Sequence, residues 1–558
     1  MSNAILIFSL GPVQGLIAQA RRVGDLDAGS RLLVELSRAA GTAIVNQGGN
    51  LIFPANLAGD VPNKLVARIP AEKVDTVAEA ARQAIGAKWS EYVSRARQQL
   101  KAKGPAPDGV WEDIWERQIG ALWEIYWAAA PETRDYRAAY DTASRAFDAA
   151  KRTRVFQQVE ESGLKDSLSG QRSALRTAKL DARAYWAQVA TNATAAELRS
   201  RGRERLDAIG AVKRWGELSV QSPSVSHIAT ADFRAAAKSF SKELEAYRTT
   251  VENLLRGHLY RVSNESAWPY DGDLFFAETL TPERLADSYG LEQSQSGLLE
   301  AAQLALRTLH QAVGFAPCPY YAIIAFDGDN MGKMVRQCQT ETEHKDLSQH
   351  IIHFAGQVKG IVEQYHGHTV YAGGDDVLAL APLSGALPLT QKLADQFENV
   401  VRETASAGIA IAHHLYPLDA ALSAAREAEL QAKLVPDKAS VCVRVLRRSG
   451  ETVDARSPWS AIGDTFTQLV NLFRNKALSS RFAYTVADAV YALPEANEAF
   501  EAEVRRLLRR HRHPDKWTGN EAGWAATLRT WASLLPGKTE ELGHWLAFAR
   551  FVAQGGGE

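Results

Sequence analysis

Asp327 and the tetrad Gly373-Gly374-Asp375-Asp376 are the residues of this sequence best placed to do chemistry. Asp327 directly follows a continuous apolar run, Tyr321 to Phe326, suited to a buried central strand. The tetrad lies between two strand-like runs, Thr369 to Ala372 and Val377 to Leu380, which predicts a hairpin. If those strands pair beside the first, three carboxylates converge at one sheet edge. Mg²⁺ and Mn²⁺ take hard oxygen ligands of this kind, and two such ions clamp the attacking and leaving oxygens of a phosphoryl or nucleotidyl transfer. The glycines let backbone approach phosphate and permit positive φ in a tight turn. Adjacent Asp375 and Asp376 repel one another unless a cation offsets the charge. Taken alone, the tetrad is also what an ordinary surface hairpin contains, because Gly-Gly and Gly-Asp are common turn formers. The Asp327-Gly328-Asp329 sequence after a strand, in the matching element order, argues for the metal site.

Other candidates carry less. A second Asp-Gly-Asp, Asp271 to Asp273, has no apolar strand in front of it and reads as a capped loop or turn. Lys433 ends a helical stretch from Asp419 to Leu434, where it can reach phosphates or simply answer the helix dipole. His413 and His414 close a strand, and neighbours on a strand point to opposite faces, so packing is expected of them rather than a paired role. His366 and His368 have no further His or Cys at ligand spacing nearby. Arg505 to Lys516 is a basic stretch that reads as a solvated helix face, with RNA or an acidic partner as the alternative.

The elements that must position these groups follow from periodicity. An N-terminal α+β segment, residues 1–160, is expected to hold strands at Ile5 to Leu10, Leu51 to Pro54 and Trp123 to Trp127. Its helices are expected at Arg31 to Val45, with a break near Gly24-Asp25, then at Ala71 to Lys103 and at Tyr136 to Gln158. Residues 161–314 read as mainly helical, with windows at Ala195 to Lys213 and Phe233 to Leu255. A second α+β segment, 315–455, has the order strand, helix (Leu347 to Tyr365), hairpin, helix (Thr390 to Thr404), strand (Ala407 to Ala412), helix, strand (Val441 to Leu446). That is the ferredoxin-like order used by polymerase and nucleotide-cyclase palms. Residues 456–558 are helical again.

Composition bounds the rest. The 558 residues, 46% of them hydrophobic, suffice for three or four domains, and 64 Lys+Arg against 65 Asp+Glu exclude a binder that works by overall charge. Cys318, Cys338 and Cys442 are too few and too scattered for a disulfide framework or a four-thiolate zinc site, which points to a reducing, cytoplasmic setting. No signal peptide and no membrane span is expected.

Several stretches together resemble the large subunit of type III-B CRISPR effector complexes, the Cmr-type branch of the Cas ten family. They are Gly11 to Leu33, Pro223 to Phe233, Tyr270 to Phe276, Phe326 to Lys333, Tyr371 to Leu380 and Ser406 to Leu418. The resemblance implies two ferredoxin-like palm domains facing each other, a helical module between them and a helical C-terminal domain. It implies an antiviral, target-RNA-activated nucleotidyltransferase that makes cyclic oligoadenylates from ATP. Its partners would be the backbone and small subunits of the complex, CRISPR RNA and target RNA. By the same resemblance Asp327, Asp375 and Asp376 hold Mg²⁺ or Mn²⁺. Gly328, Gly373 and Gly374 lie under the phosphates, Lys433 touches them, and a Gly29-Ser30 turn contacts nucleotide, unless Ser30 is a helix cap. The first palm, lacking an acidic hairpin, would hold substrate. Two departures from the family pattern stand out. The chain opens at the first palm with no His-Asp dipeptide, so no HD nuclease is expected. Lys165 to Gly170 stands where relatives carry a KCxxCG zinc knuckle, with Asp166 and Ser169 in the cysteine places, so no zinc is expected. The alternatives are a non-catalytic scaffold subunit, a free-standing diguanylate cyclase, and an enzyme that joins AMP to another small-molecule acceptor.

Overall fold

A computed structural model describes residues 2–133, 135–153, 160–194, 197–198, 203–218, 222–291, 296–447, 450 and 452–556. The N-terminal unit runs β1 (Asn3–Gly11), α1 (Gln14–Ala18), α2 (Val23–Asn46), β2 (Asn50–Phe53), β3 (Lys64–Pro70), α3 (Val74–Lys103), α4 (Gly109–Gly120), β4 (Glu124–Pro131) and α5 (Tyr136–Arg152). Its antiparallel sheet has the order β2-β3-β1-β4. Strand β1 is apolar on both faces because both are covered. Ala4, Leu6, Phe8 and Leu10 pack with α2 and α3, while Ile5 and Ile7 meet α5. Helix α5 is capped by Asp135, which accepts from Ala138 N at 2.7 Å. It buries Tyr136, Ala139, Tyr140, Ala143 and Phe147, one face of a 3.6-residue period.

Three sequence expectations for this half and the segment after it change, and part of a fourth falls outside the described residues. Strand β3 is additional to the expected elements. The helical break falls at residues 19–22 rather than at Gly24-Asp25, because Asp25 accepts from Arg21 N and Arg22 N and so starts α2. Residues 154–158 of the expected Tyr136 to Gln158 helix lie outside the described residues. In the Ala195 to Lys213 window only Ala208 onward is helical among the described residues.

The helices that follow are α6 (Ala182–Thr191), α7 (Ala208–Trp215), α8 (Val225–Ala229), α9 (Ala231–Ala237), α10 (Ser241–Leu254), α11 (Pro282–Tyr289) and α12 (Ser296–Val313). They divide between two cores. Trp186, Val212 and Ile228, on α6, α7 and α8, join the core of the N-terminal unit. Helices α9 to α12 close over their own cluster around Tyr247, Trp268 and Phe275.

The second unit runs β5 (Tyr320–Gly328), α13 (Met331–Gln337), α14 (Glu341–Gln364), β6 (His368–Gly373), β7 (Asp376–Pro382), α15 (Ala386–Val401), β8 (Ala405–His413), α16 (Leu418–Ala432), β9 (Ser440–Leu446) and β10 (Thr452–Pro458). Its sheet order is β10-β9-β8-β5-β7-β6. The β8-β5-β7-β6 part repeats the ferredoxin-like order of the first sheet. Strand β10 carries the sheet past the boundary expected at 455. It is a polar edge strand tied to β9 by the Arg444–Asp454 ion pair, 2.7 Å. Helices α17 (Trp459–Arg474), α18 (Arg481–Val490), α19 (Glu498–His511), α20 (Glu521–Leu534) and α21 (Lys538–Ala553) complete the chain and share one core with this sheet. Among the described residues no helix is long and apolar enough to cross a membrane.

The two units meet directly. Tyr136 OH and His344 Nδ1 are 2.6 Å apart, Ala55 N donates to Ser348 Oγ at 2.8 Å, and His368 Nε2 lies 2.9 Å from Asp27 Oδ2.

Candidate active site between the two sheets

Alternation along β5 decides which way Asp327 faces. Tyr320, Ala322, Ile324 and Phe326 pack toward α14 and α15, and Tyr321, Ile323 and Ala325 toward the other side of the sheet, where α16 lies. Asp327 continues the second set. Across the β5–β7 ladder its register partner is Asp376, and Asp375 sits in the two-residue connection from β6 to β7. The three carboxylates expected from the sequence do converge.

Each glycine has its own reason. Gly374 adopts φ 81°, which an L side chain rarely takes, and it faces the space between the two units. A Cβ at Gly328 would stand 2.6 Å from Phe397 Cζ and 3.0 Å from Asp375 Cβ, and one at Gly373 would collide with the Tyr371 ring. Gly328 and Gly373 are thus required by the packing of the turn itself, whereas Gly374 has open space on its cleft side. Asp329, the second Asp of Asp327-Gly328-Asp329, is withdrawn from the site. It is buried and accepts from Thr404 Oγ1 at 2.9 Å, Ser406 Oγ at 2.9 Å and Ala439 N at 3.0 Å, which fixes the chain just after β5.

Helix α16 supplies the opposing charges. Gly408 on β8 lets it approach, since a Cβ there would stand 2.1 Å from Ala425 O and from Glu429 N. That approach lays Arg426, Glu429 and Lys433, at i, i+3 and i+7, over the sheet edge. Lys433 Nζ donates to Asp327 Oδ2 and, at 2.7 Å, to Glu429 Oε1. Burial opposes its charge, but those hydrogen bonds outweigh it and hold the ammonium above its ordinary value. Arg426 and Glu429 were not singled out from the sequence, although their spacing to Lys433 carried the signal.

The site is short of positive charge. Burial, then the Asp327 charge, pushes Asp375 up to about 6. Burial, then Asp327 and Asp375, pushes Asp376 up to about 7. Four carboxylates, with Glu429, thus meet two cations, Lys433 and Arg426. A hard-oxygen donor set with an unmet negative charge fits a divalent cation such as Mg²⁺ or Mn²⁺.

Gly374 also lines a cleft of about 680 Å³ between the two units, whose lining does not include the three carboxylates, Lys433 or Arg426. One wall is α2 with the 57–62 loop, and the other is α14 with β6. Ser30 lines the first wall, but not from a turn: Gly29 and Ser30 lie inside α2, which excludes both the expected turn and the helix cap. Gly29 is there because α1 lies against it, its Cβ position being 3.3 Å from Ile17 Cα. Asp60, on the 57–62 loop, reaches across to accept from Ala372 N at 3.4 Å, and burial raises its pKa.

The remaining candidates resolve differently. Asp271 caps a short turn by accepting from Asp273 N at 3.1 Å and Ser224 Oγ at 2.6 Å, as its loop context suggested. Contrary to expectation, His413 and His414 come together, with ring centroids 4.7 Å apart, because β8 ends at His413 and the alternation stops there. His414 is placed by packing: its Nδ1 lies 2.9 Å from Ser226 Oγ and its Nε2 3.0 Å from Glu278 Oε1, linking the helical region to the second sheet. Asp166 closes the Lys165 to Gly170 turn, accepting from Leu168 N at 2.8 Å, Ser169 N at 2.6 Å and Ser169 Oγ at 2.6 Å.

A family model described as the second palm domain of Cas10/Cmr2 matches residues 320–442, the segment that holds all three carboxylates. A second, described as the N-terminal part of the CRISPR-associated protein Cmr2, matches residues 5–58. Both matched segments are thus similar to parts of Cas10/Cmr2 proteins. The chain is 29% identical over 243 residues to the CRISPR system Cmr subunit Cmr2 of Pyrococcus furiosus, a match that covers 37% of this chain and 28% of that protein. The fold is that of a chain in the cryo-EM structure of a type III-B Cmr-beta complex in its apo state, with TM-score 0.65 and 13% identity, covering 93% of this chain and 78% of that one. The same complex bound to cognate target RNA gives TM-score 0.64, again at 13% identity, covering 94% and 80%. In this chain the acidic cluster lies within the segment similar to the Cas10/Cmr2 second palm.

Proposed function

We propose that this chain is the nucleotidyltransferase subunit of a type III-B effector complex and makes cyclic oligoadenylates from ATP when target RNA is bound. The observation that carries the reading is the meeting of Asp327, Asp375 and Asp376 with Lys433 beside a turn whose Gly374 lines the cleft between the two palms. Asp327, Asp375 and Asp376 would hold Mg²⁺ or Mn²⁺, whose role when bound is to acidify a 3'-hydroxyl and neutralise charge on the α-phosphate. The chain's own groups do the rest. Gly374 leaves room for phosphate oxygens above the turn, and Lys433 and Arg426 offer cations to a triphosphate. Ser30, on the opposite wall, offers a hydroxyl to a second nucleotide. Attack of one 3'-hydroxyl on the α-phosphorus of another ATP forms the new P–O bond and expels pyrophosphate, and an intramolecular repeat closes the ring. The other effector subunits, CRISPR RNA and target RNA are the partners this reading requires. The test is mass spectrometry of the products formed by the reconstituted complex with ATP, Mg²⁺ or Mn²⁺ and target RNA. Cyclic oligoadenylates are expected, and they disappear with Asp375→Ala/Asp376→Ala in a complex that still assembles. An AMP adduct of another small molecule would transfer the same site to a different acceptor, and no nucleotide product at all would leave a scaffold.

A further inference from the structure

The C-terminal helices carry a second charged feature, remote in sequence from the palms. The loop between α17 and α18 is tied to the segment after α19, Ser479 N donating to His511 O and His513 N to Ala477 O, each at 2.9 Å. Together they form a groove of about 830 Å³ whose charged lining is Lys476, Arg481, Arg510, His511, Arg512 and His513, with no acidic side chain. Arg512 pairs with Glu521 at 2.5 Å. Lys476, Arg481 and Arg510 have no ion-pair partner among the described residues. The cations feel one another: burial first, then Arg510, Arg481 and Arg506, lowers the His511 pKa.

A solvated helix face does not account for this arrangement. Where α19 is an ordinary surface helix, its charges pair locally, Arg506 with Glu503 at 2.7 Å. The basic residues in the last turn of α19 answer its dipole. Arg481 does the reverse, because it is the first residue of α18 and adds a cation to the positive end of that helix. Lys476, Arg481 and Arg510 are exposed and hydrated, and a polyanion that neutralises several of them at once would gain from their mutual repulsion. The uncharged polar lining includes Ser479 and Ser480, whose hydroxyls can donate to phosphate oxygens, whereas Thr485 Oγ1 already donates to Arg481 O at 2.7 Å. Phe473, Leu478 and Pro514 make the rest of the lining, so an acidic protein partner is left to the test below.

We propose that this groove binds the sugar-phosphate backbone of single-stranded RNA through its phosphates, without reading bases. The proposal stands independently of the nucleotidyl-transfer reading, because its test involves no turnover. The full chain is titrated into a fluorescein-labelled, mixed-sequence single-stranded RNA over a range of salt concentrations, with fluorescence anisotropy as the readout. Arg481→Gln/Arg510→Gln is expected to weaken binding at every salt concentration and to flatten the dependence of log K on log salt by ~1.4, about 0.7 for each phosphate that is no longer neutralised. Arg481→Lys/Arg510→Lys, which keeps the charge, is expected to retain most of the affinity, which separates the effect from misfolding. Unchanged affinity and slope in the glutamine variant would overturn the proposal. So would competition by poly-glutamate as effective as unlabelled RNA of equal charge, since that would make the occupant an acidic protein.

Discussion

The two palms are the same device with one pair of residues changed. Strand, short helix, 24-residue helix, two strands, helix, strand and covering helix recur in order, with α4 added in the first palm, and the four core strands share one order, to which the second sheet adds β9 and β10. In the second palm Asp327 and Asp376 face each other across the ladder, on the side covered by α16. In the first, the corresponding rung is Ser9 and Lys64, on the side covered by α5, and the Lys64 ammonium lies 5.7 Å from the Phe147 ring centre. A hydroxyl opposite an ammonium offers a divalent cation little, whereas two carboxylates with a third in the adjoining turn are the hard oxygens that the proposed function would place around one. The strand connection differs as well: two residues, Gly374-Asp375, in the second palm, against the long Pro54 to Asn63 segment in the first, which instead presents Asp60 to the cleft. Under the proposed function one fold would supply a chemical half and a holding half, and the division would rest on a few side chains at one rung.

The comparison breaks most visibly at the acidic turn. Asp375→Asn/Asp376→Asn is expected to reduce product formation by more than the ~10–100-fold typical of changes behind a metal's ligands, measured as labelled product from the assembled complex. Lys433→Met leaves Asp327 without its cation and is expected to cost about 10–100-fold in the rate of pyrophosphate release.

Acid tests the joint between the halves. His344, against Tyr136 of the first palm, is held near about 4 by burial and by the charges of Lys64 and Arg137. His227, in the helical region, is held near about 3 by burial and by Arg234. The folded chain keeps both rings neutral, and the unfolded chain protonates them near 6.5. Their contribution to stability is therefore complete above pH ~6.5 and is lost as the pH falls through about 4 toward 3. The thermal midpoint should fall across that window, and less steeply in His344→Gln. The smallest effect is expected from Ser9→Ala/Lys64→Met, which alters the first palm's rung. If that rung only holds structure, turnover stays within about twofold and stability within about 1 kcal/mol, because the substitution removes a desolvated charge along with its partners' hold on it. A loss there as large as at Asp375 and Asp376 would erase the distinction between the halves.

How much of this was legible depended on whether a signal was local. The second palm was readable because apolar β5 and the Gly-Asp turn announce themselves, and both lie where expected. Strand β3 was hidden, since Lys64 and Arg68 interrupt a short apolar run flanked by prolines. Strand β10 was hidden because an edge strand needs few apolar residues, and of its seven only Ala455 and Ser457 are buried. Residues 203–207 looked helical, but Glu204 instead joins a buried ion cluster with Arg22 and Arg214, at 2.6 and 3.1 Å. Tertiary packing overrode propensity there. Gly29-Ser30 read as a turn because the sequence does not reveal that α1 lies against it. Arg426 and Glu429 joined the site through Gly408, whose reason is visible only once a helix is seen lying on it.

The most direct test of the account is manganese binding to the full chain, followed by electron paramagnetic resonance of free Mn²⁺ in the presence of ATP. The wild-type protein and Ser9→Ala/Lys64→Met should bind the ion alike, while Asp375→Asn/Asp376→Asn should bind none above what ATP itself holds. Undiminished Mn²⁺ binding in the Asp375→Asn/Asp376→Asn protein would contradict the assignment of the chemical half to the second palm.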